Sequence, residues 1–135
     1  PDLALTLDIT PAADTPDLTG RNDVRLGDGP AVKIMDFHGR GSLNGLLVPE
    51  FLINWIENSA SALAIPTQRE VVVGVVTDGT YLPSLGIPTA ALAVPTRYTH
   101  SPSEVVSLSD LERTVDLCEQ LARRVEHVDL GGMSL

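Results

Sequence analysis

The chain has 135 residues, one cysteine, and a formal net charge of −9 from 18 acidic and 9 basic side chains. A chain of about 150 residues buries roughly 68–70% of its unfolded surface, so one domain with its own core is expected. A lone cysteine excludes an internal disulfide and a four-thiolate zinc site, and it fits a reducing, cytoplasmic setting. So few cations argue against nucleic acid and anionic membrane as partners, since both are held through Lys and Arg. No apolar run approaches the ~18–20 residues of a membrane span. The sequence opens on Pro1, and its first ten residues lack the basic flank of a signal peptide. A chain that starts directly on strand-like sequence reads as cut from something longer.

Leu3, Leu5, Leu7 and Ile9 alternate with small or polar residues, which predicts a strand over Leu3–Thr10 with one apolar face. Residues 11–29 are rich in Pro, Gly, Asp and Thr and predict a long surface loop, with a short edge strand at Asp23–Leu26. Ala31–Asp36 reads as a second strand and His38–Ser42 as a turn. From Leu46 to Ala64 apolar residues recur at helical spacing, with Pro49 in the first turn and Ile65-Pro66 as the stop.

The β-branched run Arg69–Val76 predicts a fully buried strand. Thr77-Asp78-Gly79 is a tight turn, and Tyr81–Gly86 forms one helical turn stopped by Gly86. Thr89–Val94 is a further strand, and residues 95–102 form an irregular polar loop. Ser109-Asp110-Leu111-Glu112 has the pattern of a capping box. In the helix that follows, Leu111, Val115, Cys118, Ala122 and Val125 predict the buried stripe. Cys118 on that stripe reads as a packed, inert thiol. His127 is expected to complement the dipole at the helix end, and residues 131–135 form a tail. The order of elements indicates α/β layering: a mixed, mostly parallel sheet flanked by helices.

In open α/β sheets, reactive groups gather at the carboxyl ends of strands. Asp8 closes the first predicted strand, Thr77-Asp78 the third, and His100 follows the fourth. An Asp inside Leu7-Asp8-Ile9 is costly to bury unless it caps a turn or meets a metal. Gly27-Asp28-Gly29 and Gly39-Arg40-Gly41-Ser42 lack the spacing and the Lys of a phosphate loop. His38, Ser42 and Asp36 supply the residue types of a hydrolase triad without its geometry.

Several segments together resemble one family. Pro95-Thr96-Arg97-Tyr98-Thr99-His100-Ser101-Pro102-Ser103-Glu104 with Asp110-Leu111-Glu112 is similar to the end of the family M42 metalloaminopeptidases. That family includes tetrahedral and glutamyl aminopeptidases and relatives once labelled endoglucanases. Leu7-Asp8-Ile9-Thr10 with Asp14-Thr15-Pro16, Gly27–Ala31 through Asp36, Ile65–Gln68, and Thr77-Asp78-Gly79 match four more of its motifs in order.

The resemblance implies a zinc-peptidase-like (phosphorylase/hydrolase-like) α/β catalytic domain, of which residues 1–135 are the C-terminal part. The upstream half and an inserted β domain are absent from the sequence. It implies two divalent metal ions, zinc by preference with cobalt or manganese as substitutes, and peptide substrates cleaved by metal-activated water. Asp8 then resembles a ligand of one metal and His100 a ligand of the other. Asp78, Thr77, Arg97 and Tyr98 resemble groups of the surrounding shell or the substrate pocket. The family's remaining ligands and its general-base Glu have no counterpart here. Glu50, Glu57 and Glu70 match no such motif. The isolated chain is therefore expected to hold metal weakly and to be inactive. Val73–Val76 and Gly39–Asn44 also depart from the family pattern. An uncovered apolar edge predicts self-association into a homo-oligomer. The competing reading is a non-catalytic assembly or interaction domain that keeps the fold. A serine hydrolase around Ser42 is a third.

Overall fold

The computed structural model describes residues 1–39 and 44–128, the His127 side chain excepted. Its strands are β1 (Ala4–Pro11), β2 (Ala31–Phe37), β3 (Gly45–Leu47), β4 (Gln68–Val73), β5 (Thr89–Arg97) and β6 (Val105–Val106). Its helices are α1 (Glu50–Ala62) and α2 (Leu108–Arg123), with 3₁₀ segments at Asp78–Leu85 and Val125–His127.

β5 lies between β1 and β2. β1 and β5 are parallel from Ala4 opposite Thr89 to Pro11 opposite Thr96. β2 is antiparallel to β5 at Ala31 and Val32. On its other edge β2 is parallel to β4, with a register shift between Lys33 and Met35. β3 pairs with Met35 and Asp36. That must be the edge β5 also uses, because β4 fills the other. The two long ladders are parallel and the short ones antiparallel, so the sheet is mixed and mostly parallel as expected.

Alternation of side chains gives the sheet two distinct faces. Val32, Leu92 and Leu5 face α1 and α2, where they pack with Leu52, Ile56 and Leu117. Val32, Leu92, Leu52, Ile56 and Leu117 are fully buried and contribute about 1.5–3 kcal/mol each, while Leu5 is partly buried. Among the described residues, the opposite face carries no α-helix. The loop over residues 12–30 covers part of it by setting Val24 against Ala31 and Ala93. The 3₁₀ segment covers another part. A Cβ on Gly79 would stand 2.7 Å from Thr6 Oγ1, so glycine there lets the segment lie directly on β1.

A buried ionic cluster links three strands on this face. Lys33 Nζ lies 2.7 Å from Glu70 Oε2, and both side chains are fully buried. Lys33 Nζ donates to Thr10 Oγ1 at 3.0 Å, and that hydroxyl donates to Glu70 Oε1. Glu70 is thus an interior residue of β4.

Several sequence expectations are corrected. The helix begins only after Pro49, because Leu46 and Leu47 are drawn into β3 by pairing with Asp36 and Met35. No strand forms at Asp23–Leu26. Instead the Asn22 side chain accepts from the Val24 N–H, which turns the chain there. β4 ends at Val73 and is only half buried. Its outer edge is unpaired among the described residues, and Val71 and Val73 alternate outward. β5 runs on through Pro95, Thr96 and Arg97, held by Pro11 on one side and by β6 on the other.

The capping box does not form. α2 starts at Leu108 with Ser107 at its N-cap, and no side chain caps it. The Asp110 carboxylate is used elsewhere. It accepts from the Gly27 and Gly29 N–H groups at 2.7 and 2.9 Å and pins the loop before β2. The buried stripe of α2 is Asp110, Thr114, Leu117 and Leu121. Of the expected stripe, Cys118 alone is partly buried, while Leu111, Val115, Ala122 and Val125 are exposed. Burial raises the Cys118 thiol above its ordinary value, which agrees with an inert thiol. Residues 40–43 of the expected turn, Ser42 included, the His127 side chain and the tail lie outside the described residues.

Candidate metal centre

β1 and β5 are adjacent and parallel, so their C-terminal ends share one end of the sheet. Asp8 lies three residues before the end of β1, and His100 lies three residues beyond the end of β5. Asp8 is on the face that carries Thr6 and Thr10, away from the helices. Its carboxylate is partly exposed, and Oδ1 accepts from the Ile9 N–H at 2.7 Å. That N–H points to the edge of β1 opposite β5. The carboxylate therefore leans over an edge of β1 that no described strand pairs.

His100 is exposed and has a left-handed backbone, φ +62°. Tyr98, two residues earlier, also has φ +62° and is exposed. Non-glycine residues in this region cost of order 1–3 kcal/mol each and cluster at functional sites. Two of them around one imidazole, directly after a central strand, mark this turn as over-determined. Its anchors are visible. The His100 N–H donates to Glu104 Oε1 at 2.8 Å. The Arg97 guanidinium donates twice to the Asp14 carboxylate, at 2.7 and 2.8 Å. Asp14 also accepts from the Leu26 N–H at 3.0 Å. Hydrogen bonding to Arg97 holds the Asp14 carboxyl below its ordinary value, and the same pair raises Arg97.

The other candidates sit differently. Thr77 is buried, and its N–H and hydroxyl both donate to Asp36 Oδ2, at 2.9 and 2.7 Å. Asp36 Oδ1 accepts from the Leu46 N–H at 2.9 Å and the Thr80 hydroxyl at 3.2 Å. Thr77 is thereby fixed, and Asp36 is a four-donor structural carboxylate rather than half of a triad with His38. Asp78 is exposed at the start of the 3₁₀ segment, next to the Gly79 that rests on Thr6. Thr77 and Asp78 thus lie over the same sheet face as Asp8. Asp14 and Glu104 went unrecognised as anchors in the sequence. The available signal was their place inside the two motifs that carry Asp8 and His100.

The donor chemistry suits a zinc-type ion: one carboxylate and one imidazole. Among the described residues, Asp8 Oδ1 is held by the Ile9 N–H and His100 is held through its backbone N–H, while no described residue hydrogen-bonds Asp8 Oδ2 or the His100 ring. The donor number falls short. Among the described residues no three of His, Cys, Asp and Glu converge on one point. A catalytic zinc ordinarily has three protein ligands.

Comparison with known proteins agrees with the motifs. The profile described as M42 glutamyl aminopeptidase matches residues 1–117. The chain belongs to the M42 peptidase family. It is 48% identical over 124 residues to SgcX of Escherichia coli (strain K12), a provisionally named aminopeptidase, covering 90% of this chain and 33% of that protein. It superposes on the aminopeptidase APDkam598 of Desulfurococcus kamchatkensis with a TM-score of 0.81 at 30% identity. That match covers 99% of this chain and 38% of that one. It also superposes on the Pyrococcus horikoshii TET1 peptidase, described as assembling into a tetrahedron or a large octahedral shell. There the TM-score is 0.65 at 31% identity, covering 87% of this chain and 32% of that one. The chain spans about a third of the length of SgcX.

Proposed function

We propose that residues 1–135 form the C-terminal part of the catalytic domain of a two-metal aminopeptidase that releases N-terminal residues from peptides. One observation carries the reading. In a chain of this family, Asp8 and His100 fall at the same end of two adjacent parallel strands, with metal-competent atoms that no other described residue holds. In this reading Asp8 holds one divalent ion and His100 the other, zinc by preference. When bound, such a pair lowers the pKa of a water and polarises the scissile carbonyl.

The chain's own residues supply placement. The Ile9 N–H fixes one Asp8 oxygen and leaves the second for a cation. Arg97 has its charge matched by Asp14, so it shapes the site rather than binding a free carboxylate. Tyr98 offers an exposed ring beside His100 as a pocket wall, and Asp78 a carboxylate on the Asp8 face. Further metal ligands and a general base come from polypeptide beyond these residues. The isolated chain therefore binds metal weakly and does not turn over. A cytoplasmic setting fits the lone, packed cysteine, and among the described residues no helix is long and apolar enough to cross a membrane.

A second reading, a non-catalytic assembly domain, is favoured by the exposed apolar stripe on α2. Aminoacyl p-nitroanilide hydrolysis with added zinc or cobalt, against a chelated control, tests both. The chain alone is expected to be silent. Supplying the other two thirds of the family's length from SgcX is expected to restore chelator-sensitive turnover that Asp8→Ala or His100→Ala abolishes. Silence of that complemented assembly would favour the assembly domain. Turnover by the chain alone that depends on His100 would overturn the incompleteness argument.

A further inference from the structure

His100 stands between two anchors that the family assignment does not explain. Three residues before it, Arg97 closes β5 and is gripped by both oxygens of Asp14. Asp14 is itself tied to the loop by the Leu26 N–H. Four residues after it, Glu104 accepts the His100 N–H at 2.8 Å. Between the anchors the backbone passes through the left-handed region twice, at Tyr98 and at His100. Left alone, a turn of two non-glycine residues relaxes out of that region, and the imidazole moves with its backbone.

We propose that Asp14 and Glu104 are positioning residues for His100: Asp14 locks the strand end before the turn, Glu104 locks the turn itself, and together they present the imidazole to a divalent cation. The inference rests on His100 as a metal ligand, and it goes beyond that reading by naming what holds the ligand. The Asp14 clamp is largely shielded, with its carboxylate 11% exposed and its partner guanidinium 35%. The Glu104 contact is exposed, and it matters through geometry: it occupies the one backbone donor of His100.

The test is NMR on the full 135-residue chain with Zn2+ as probe. Three variants are compared with the native chain: Glu104→Ala, Glu104→Gln and Asp14→Ala. Glu104→Ala is expected to speed exchange of the His100 amide about tenfold, the loss of one ordinary hydrogen bond. It should also move the carbon shifts of residues 98–100 away from left-handed values and weaken the Zn2+ response of the His100 ring several-fold. Glu104→Gln keeps a carbonyl acceptor and is expected to restore all three. Asp14→Ala is expected to move the same reporters while Leu117 and Leu121 amides in α2 stay protected. Should Asp14→Ala fail to fold, the Glu104 pair still decides. Equal backbone shifts and equal Zn2+ response in the native chain and Glu104→Ala would overturn the positioning role alone. Because the isolated chain binds metal weakly, the cation role is judged with the chain complemented by the remaining two thirds of SgcX. An imidazole indifferent to Zn2+ in that assembly would overturn the metal reading of His100 and the cation role with it.

Discussion

Lys33 Nζ and Glu70 Oε2 stand 2.7 Å apart with neither side chain reaching solvent. Thr10 closes the triangle by accepting from the lysine and donating to the glutamate. Taking two charges out of water is expensive, and the Coulomb attraction repays it only while both partners are present. Lys33→Met alone strands a buried carboxylate and is expected to cost about 3–5 kcal/mol. The triple change Lys33→Met, Glu70→Leu, Thr10→Val removes every polar partner together and is expected to be neutral or stabilising. Urea denaturation separates the cases. A triple variant as unstable as the single one would mean the cluster is a net source of stability.

Asp110 gives a second stability test, because it replaces the helix cap that its sequence suggested. Its oxygens are the acceptors for the Gly27 and Gly29 N–H groups, and Arg113 braces the same loop through the Gly27 carbonyl at 2.9 Å. Asp110→Ala leaves those donors unpaired and is expected to lose about 2–4 kcal/mol. The two glycines should then respond differently to alanine. Both have φ near +90°, but a Cβ on Gly27 meets nothing within 4 Å. On Gly29 it would lie 1.9 Å from the Pro66 carbonyl oxygen. Gly27→Ala is expected to cost about 1–2 kcal/mol from backbone strain, and Gly29→Ala about 3 kcal/mol or more once the overlap is added. Equal losses in thermal melts would refute the close approach.

Most of the sheet was legible because its strands carry local signals. The alternation Leu3-Leu5-Leu7-Ile9 located β1, and the apolar run after Pro88 located β5. What failed depended on partners distant in sequence. Leu46 and Leu47 carry helical periodicity, yet pairing with Asp36 and Met35 makes them strand. Ser109 to Glu112 fits a capping box, yet Asp110 gains more by holding two loop amides 81 and 83 residues away. On α2 both stripes have helical spacing, and only the sheet decides that Leu117 and Leu121 turn inward. Asp8 and His100 were found through motifs. The Asp14–Arg97 clamp, joining residues 83 apart, has no local signature.

That clamp makes a pH prediction with a definite sign. Hydrogen bonds from Arg97 hold the folded Asp14 carboxyl below the ordinary 3.8. A carboxyl depressed by folding stabilises the native state above its unfolded pKa, and that stability drains away as pH falls through the folded value. The loss is therefore expected below about pH 4. Asp14→Asn should lower the urea midpoint at neutral pH and flatten the acid limb. The Glu57–Arg69 pair depresses Glu57 in the same direction, but Arg69 is 64% exposed, so Glu57→Gln should change the limb little. An acid limb unchanged by Asp14→Asn would show that other carboxyls control it.

The outward stripe of α2 is the final test. Leu111 is 42% exposed and Val115 58%, one turn apart on the outer face of α2, and Val125 in the following 3₁₀ segment is 46% exposed. Exposed substitutions away from special features change stability by only about ±0.5 kcal/mol. Leu111→Glu with Val115→Glu should therefore leave the melting temperature almost unmoved. Leu117→Ala, fully buried, should cost about 2–5 kcal/mol. Association should show the opposite pattern. Uncovered apolar side chains favour pairing with another surface, against the repulsion of a net charge of −9. Sedimentation of the native chain is expected to show dimers or larger species that the double variant converts to monomer, more completely at low salt. A native chain that stays monomeric at high concentration and high salt would remove self-association and leave the stripe as a seat for a different polypeptide.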